Sequence, residues 1–271
     1  MFEIMFYPLM GLFGIALLSG AFGCQMMWHK VACLSDTLSH GALLAVAFGV
    51  LIGISENISL FLLSFLWAFL LWFLTKNRQN STDTVMAFLT QSSIALAILL
   101  FSLAGQNSSM MHAFLGDVLM IDKNDILFIF GIDIILGVIL IFCWKKWVLI
   151  AVSPDLAKSL KINTNLQQLL FFISAGFFVA QAMRLMGALL APAFFVIPAM
   201  TARYLSKTPE KMAFLASFFA VLTSLIGSLF SFYLDLPTGV CVVICCIFLY
   251  LVVTFYRFIK KLLNKYLTYC S

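Results

Sequence analysis

The chain has 271 residues, of which 63% are hydrophobic and only 10% are Asp, Glu, Lys or Arg. A water-soluble domain carries about 25% charged residues because its surface must face water, so this composition excludes a soluble globular protein. The net charge of +5 raises a nucleic-acid reading, which the placement of the basic residues excludes below.

A bilayer span needs roughly 20 largely apolar residues, and such stretches recur along the whole sequence. The first ten residues, MFEIMFYPLM, carry no positive n-region, and no small-residue cleavage site follows. The start therefore reads as a first span rather than a signal peptide. In chain order the stretches place nine spans, near 7–27, 38–54, 58–74, 85–104, 126–143, 166–182, 186–202, 212–232 and 239–256. Helices are expected, since each segment must satisfy its own backbone in lipid. Barrel strands would alternate over about ten residues, and Leu60–Leu74 does not. The expected fold class is an all-α polytopic membrane protein, in one domain over 1–271.

Between spans, Met111, Phe114, Leu115 and Val118 fall at helical spacing, which predicts a short interfacial helix capped by Ser108 or Ser109. The stretch VSPDLAKSLKIN predicts a proline-started helix capped by Ser153. Nine spans divide the loops and tails into two sets. One set carries fourteen of the sixteen lysines and arginines, among them Lys30, Lys76, Lys158, Arg203, Lys207 and Lys260; the other carries Lys123 and Arg184. The positive-inside rule makes the first set cytoplasmic, with the N-terminus outside and the C-terminus inside. The basic charge is thus a topology signal, and no nucleic-acid partner is expected.

The sequence has no G-x-x-x-x-G-K-[ST] with which to cradle ATP, and neither G-x-S-x-G nor H-E-x-x-H; no catalytic role of its own is expected. Gly116-Asp117 faintly echoes an intramembrane aspartyl protease, but that chemistry needs a second aspartate in the membrane, and Asp117 falls in a loop. The seven cysteines form an odd set without CxxC, and most lie in apolar runs where cysteine packs as a small hydrophobe. No disulfide framework is expected.

Ionisable groups inside a bilayer are costly and mark functional positions. Asp36 and His40, four residues apart, share a helical face; oxygen and nitrogen donors of this kind suit zinc. The alternative is an Asp36 favoured by the helix macrodipole, with His40 bonded to a backbone carbonyl. Asp133, about 10 Å deep at 1.5 Å per residue, either lines a pathway or, the favoured reading, accepts a hydrogen bond from a neighbouring helix. Arg184 is expected to snorkel to the outer interface. His29 and His112 read as interfacial residues, and Cys241 and Cys245, also four apart, as packing.

The segment Met186–Lys211 is the least regular. Pro192 and Pro198 each remove a backbone donor and are expected to kink or break the helix. Thr208 before Pro209, with Glu210 following, reads as a helix cap. Two short helices at the cytoplasmic surface are expected here.

Across the chain these residues resemble the permease subunits of bacterial metal-uptake ABC importers, most nearly the zinc permeases. The likeness is carried by Leu34–Leu44 (LSDTLSHGALL), by Ala113–Asp117 (AFLGD) and by Val152–Ala157 (VSPDLA). Gly187–Arg203, Thr208–Ala213 and Asp235–Gly239 (DLPTG) complete it, in order. Ser35 departs from the family's glycine, Lys161 stands where a glycine is usual, and Val240 replaces a proline. Gln91 stands where zinc-type permeases often carry histidine.

The resemblance implies one transmembrane permease domain in the bacterial inner membrane that imports a divalent metal, zinc first and manganese or iron as alternatives. It implies four further components: a second permease copy in a homodimer, two cytoplasmic ATPase subunits and an extracytoplasmic metal-binding protein. No resident cofactor is implied. Asp36 and His40 would form a transient metal station, and Pro198, Arg203, Ser206, Lys207, Thr208 and Pro209 would couple to the ATPase. The rival reading is a secondary metal transporter; such proteins often show inverted repeats and several midplane carboxylates, of which only Asp36 and Asp133 are candidates.

Overall fold

A computed structural model describes residues 2–76, 81–105, 107–116 and 123–270; Asp117 and Val118, which carried expectations above, lie outside these. Among the described residues the chain is helical: α1 (Phe2–Trp28), α2 (Leu34–Ile52), α3 (Glu56–Lys76), α4 (Thr82–Ala104), α5 (Asn107–Leu115), α6 (Lys123–Val152), α7 (Pro154–Ser159), α8 (Thr164–Met186), α9 (Ala191–Leu205), α10 (Pro209–Leu234) and α11 (Thr238–Cys270). Eight of these, all but α5, α7 and α9, are long and apolar enough to cross a membrane.

Side-chain pairs fix how the helices run. Gly11 of α1 lies against Ile129 of α6 and Leu185 of α8. Towards the other end Trp28 packs 5.7 Å from Trp144, and His29 stacks 5.2 Å from Phe171. Helix α6 is therefore parallel to α1, and α8 is antiparallel. Phe178 of α8 is sandwiched between Phe22, at 4.8 Å, and Phe195 of α9, at 5.2 Å.

The seventh expected span takes a different form. In place of a helix over 186–202 there is a turn, Gly187–Leu190, followed by α9, whose 15 residues extend about 22 Å. Helix α9 still brings the chain back to the end where α1 finishes, since Ala199, Ala202 and Met212 pack with Cys24. Lys30, Lys76, Lys158, Arg203 and Lys207 consequently gather at one end of the bundle, the basic end, with Arg184 towards the other.

The expected caps form at Ser153, which accepts from the Leu156 N–H at 3.3 Å, and at Thr208, which accepts from the Lys211 N–H at 3.4 Å. Ser108 and Ser109 fall within the bounds of α5. The two short helices expected over Met186–Lys211 do not form. Helix α9 continues through Pro198 to Leu205, residues 206–208 turn, and α10 starts at once. The Thr208 cap and Pro209, placed where no N–H is needed, start a helix without a spacer. The short helix at the basic end is α7.

Helices α1, α2 and α8 are mostly buried, whereas α3, α6 and α11 expose most of their surface. Their outward side chains, such as Leu62, Ile141, Phe142 and Phe248, are those of a lipid-facing wall. Small residues set the closest helix contacts: a Cβ on Gly20 would lie 2.0 Å from the Ser217 nitrogen of α10.

Candidate functional site at a helix break

Helix α2 places Asp36 in its first turn and His40 one turn on. His40 Nε2 is 3.5 Å from Asp36 Oδ1, so the pair shares a face as the spacing predicts. His40 is buried, while the Asp36 side chain is 47% exposed. His40 Nδ1 has no hydrogen-bond partner among the described residues; the expected alternative, a histidine bonded to a backbone carbonyl, is not what the ring does. The arrangement is an accessible carboxylate backed by an imidazole, one oxygen and one nitrogen donor. No group of three His, Cys, Asp or Glu side chains suited to a metal occurs among the described residues, so one chain offers two donors here.

The surroundings of α2 hold that face in place. Thr90 of α4 donates to the Thr37 hydroxyl at 3.0 Å, and Thr37 donates to the Cys33 carbonyl at 3.1 Å. Gln91, next along α4, is exposed. Ser39 donates to the carbonyl of Ala188 at 3.0 Å, which joins the Asp36–His40 turn to the break between α8 and α9.

That break has a local cause. Gly187 ends α8 at φ +81, a conformation closed to other residues, and Pro192 sits in the first turn of α9. The freed backbone is satisfied by the last turn of α5: Ala188 N–H donates to Ala113 O at 3.1 Å, and Leu189 N–H donates to Phe114 O at 3.4 Å. Irregular backbone inside a membrane bundle is tolerated where protein surrounds it, and transporters place such broken helices at their cargo sites. The sequence reading missed this turn, because GALL is apolar; the available signal was a glycine five residues ahead of a proline.

Other residues singled out in the sequence behave differently. Asp133 is buried against Gly14, and neither carboxylate oxygen has a hydrogen-bond partner among the described residues, so the expected bond to a neighbouring helix is absent. Arg184 does not simply snorkel: it donates to Asp125 Oδ1 at 3.2 Å and to Asn57 Oδ1, tying the end of α8 to α3 and α6. Cys246, beside the Cys241–Cys245 face, donates to Thr223 Oγ1 at 3.1 Å, which is packing between α10 and α11. Pro198 is buried within α9, whereas Arg203, Lys207 and Thr208 are exposed, and Ser206 and Pro209 are half-buried. The last five form one turn at the basic end, beside which Arg257 of α11 lies over the Tyr204 ring at 5.5 Å.

Comparison with known proteins adds four findings. The chain is 32% identical over 259 residues to the high-affinity zinc uptake system membrane protein ZnuB of Haemophilus influenzae, covering 95% of this chain and 99% of that protein. It is 23% identical to the manganese import system permease protein ScaB of Streptococcus parasanguinis, covering 93% and 90%. Its fold matches PsaBC from Streptococcus pneumoniae in complex with Fab, with a TM-score of 0.83 at 22% identity over 93% of this chain and 91% of that one. The sequence profile of the ABC 3 transport family matches residues 1–257, and the chain, a multi-pass membrane protein, belongs to that family.

Proposed function

We propose that the chain is the membrane-spanning permease of an ATP-driven importer of divalent metal, with zinc as its cargo. The observation that carries this reading is the end-to-end likeness to a zinc-uptake membrane protein. The Asp36–His40 pair supports it by supplying donors suited to zinc beside a broken helix. Manganese is the second reading, favoured by the likeness to a manganese permease and by the ability of aspartate and histidine to serve several divalent metals.

In this proposal residues 1–271 act as one permease domain and two copies assemble about a two-fold axis. Each copy brings one carboxylate and one imidazole, enough together for a four-coordinate ion. The cargo is held by Asp36 and His40 only in passing, since a tight site would not release it. Separate ATPase subunits dock on the exposed turn Arg203–Pro209, and a metal-binding protein delivers the ion at the opposite, outer face. The basic end is cytoplasmic by the positive-inside rule, with the N-terminus outside and the C-terminus inside.

The test is uptake by proteoliposomes that hold the chain with its candidate ATPase and binding protein. Zinc accumulation that needs ATP, and that manganese competes with poorly, is expected. Accumulation driven by a proton gradient with no ATPase present would instead identify a secondary transporter.

A further inference from the structure

At the basic end a cavity of about 240 Å³ opens between six elements: the end of α1, the end of α3, the start of α4, the end of α6, α7 and the start of α8. It lies apart from Asp36 and His40, and neither residue lines it. Lys76, Lys158, Thr82, Thr164, Asn165 and Gln168 supply its wall with donors, and no carboxylate of the described residues lines it. Two acid groups stand nearby in sequence: Asp155, 3.4 Å from the Lys158 ammonium, and Asp83, next to Thr82. The Lys76 ammonium lies 5.1 Å from the Trp72 ring centre.

Two buried acceptors of residues lining this cavity have no partner among the described residues. Gln167 is 8% exposed and its Oε1 has no hydrogen bond; His29 Nε2 has none either. His29 bonds the backbone of Trp147, and burial holds its pKa at about 4, so the ring is neutral and Nε2 is an acceptor. Phe171, on which His29 stacks, is one turn along α8 from Gln167. Partnerless buried acceptors cost free energy unless a donor reaches them. Exposed apolar side chains flank the lining residues in sequence: Phe73, Val152, Leu156, Leu160 and Leu166.

We propose that this cavity binds the headgroup of an anionic phospholipid with a hydroxylated head, such as phosphatidylglycerol. The ammonium groups of Lys76 and Lys158 and the neighbouring hydroxyls and amides take the phosphate. The headgroup hydroxyls donate to His29 Nε2 and Gln167 Oε1, the two acceptors that the protein leaves open. The acyl chains lie over these exposed apolar side chains. Basic pockets between spans on the inner side of a membrane are suited to anionic headgroups, and free phosphate would leave the apolar side chains uncovered.

The test places a fluorophore on Leu160→Cys, in a full-length chain with exposed Cys33 replaced by Ser, reconstituted in phosphatidylcholine vesicles with a minority of brominated phosphatidylglycerol. Quenching above that given by the same fraction of brominated phosphatidylcholine is expected. In Lys76→Gln/Lys158→Gln the apparent affinity should fall about tenfold, and Lys76→Arg/Lys158→Arg should restore it. Equal quenching by the two lipids, or quenching unchanged in the glutamine variant, would overturn the proposal. Displacement of the lipid by millimolar inorganic phosphate would overturn it too, by showing an anion site indifferent to the lipid.

Discussion

Gly116 and Gly187 meet backbone to backbone: a Cβ on Gly116 would lie 2.4 Å from the Gly187 nitrogen, and a Cβ on Gly187 would lie 2.3 Å from the Phe114 carbonyl oxygen. Both residues have positive φ. Gly187→Ala therefore combines a disfavoured backbone with an overpacked contact, together about 2–5 kcal/mol. A lower melting temperature and a poorer yield of monodisperse protein are expected. An unchanged melting curve would mean that the α5 and α9 segments part easily.

The Arg184–Asp125 pair joins α8 to α6, and both side chains are largely buried, at 22% and 19% exposure. Arg184→Ala leaves the Asp125 carboxylate short of its charged partner, at a cost of about 1–3 kcal/mol. Thermal unfolding of the single variants against the Arg184→Ala/Asp125→Ala double measures the coupling. Additive losses would show that the pair contributes nothing beyond its parts.

Asp36→Asn and His40→Ala are each expected to lower metal uptake at least about tenfold, the scale on which lost metal-site partners act. Uptake is normalised to assembled complex, and membrane insertion, assembly and basal ATP hydrolysis should hold. Loss of assembly in step with uptake would reassign the pair to packing, and near-normal uptake in both variants would remove it from the pathway.

For orientation, a cysteine at Asn107, at the start of α5, should react with a membrane-impermeant thiol reagent added from outside. A reporter fused after Ser271 should be active only in the cytoplasm. Labelling of residue 107 from the cytoplasmic side alone would invert the assignment of the two faces.

Arg203 is exposed on the turn proposed to meet the ATPase. Arg203→Glu should leave ATP hydrolysis running while uptake falls, and cysteines at Ser206 or Thr208 should crosslink to the ATPase. Normal coupling together with absent crosslinks would place the docking surface elsewhere.

Much of this architecture is legible in the sequence, because the features concerned are local. Apolar runs separated by charged turns give the spans, Ser153 and Thr208 announce their helices as caps, and the spacing of Asp36 and His40 places both on one face. What stayed hidden depends on residues far apart in the chain. Nothing near Arg184 points to Asp125, nothing near Ser39 points to Ala188, and the hydropathy of 186–202 is the same for a full span as for a turn and a short helix. That Asp133 has no hydrogen-bond partner among the described residues is equally non-local, since it depends on which side chains the other helices turn towards α6.

The length of α9 bears on how a doubly charged ion crosses at all. Its roughly 22 Å fall about 8 Å short of a hydrocarbon layer of about 30 Å. The carbonyls and amides of Gly187–Leu190, bonded to α5, to Ser39 and to the flanking helices, therefore sit below the level a full span would reach. On the proposed route, polar backbone extends that far into the layer before the helix begins. On that route one glycine and one proline, by fixing the length of α9, set how far the purely apolar part of the barrier extends.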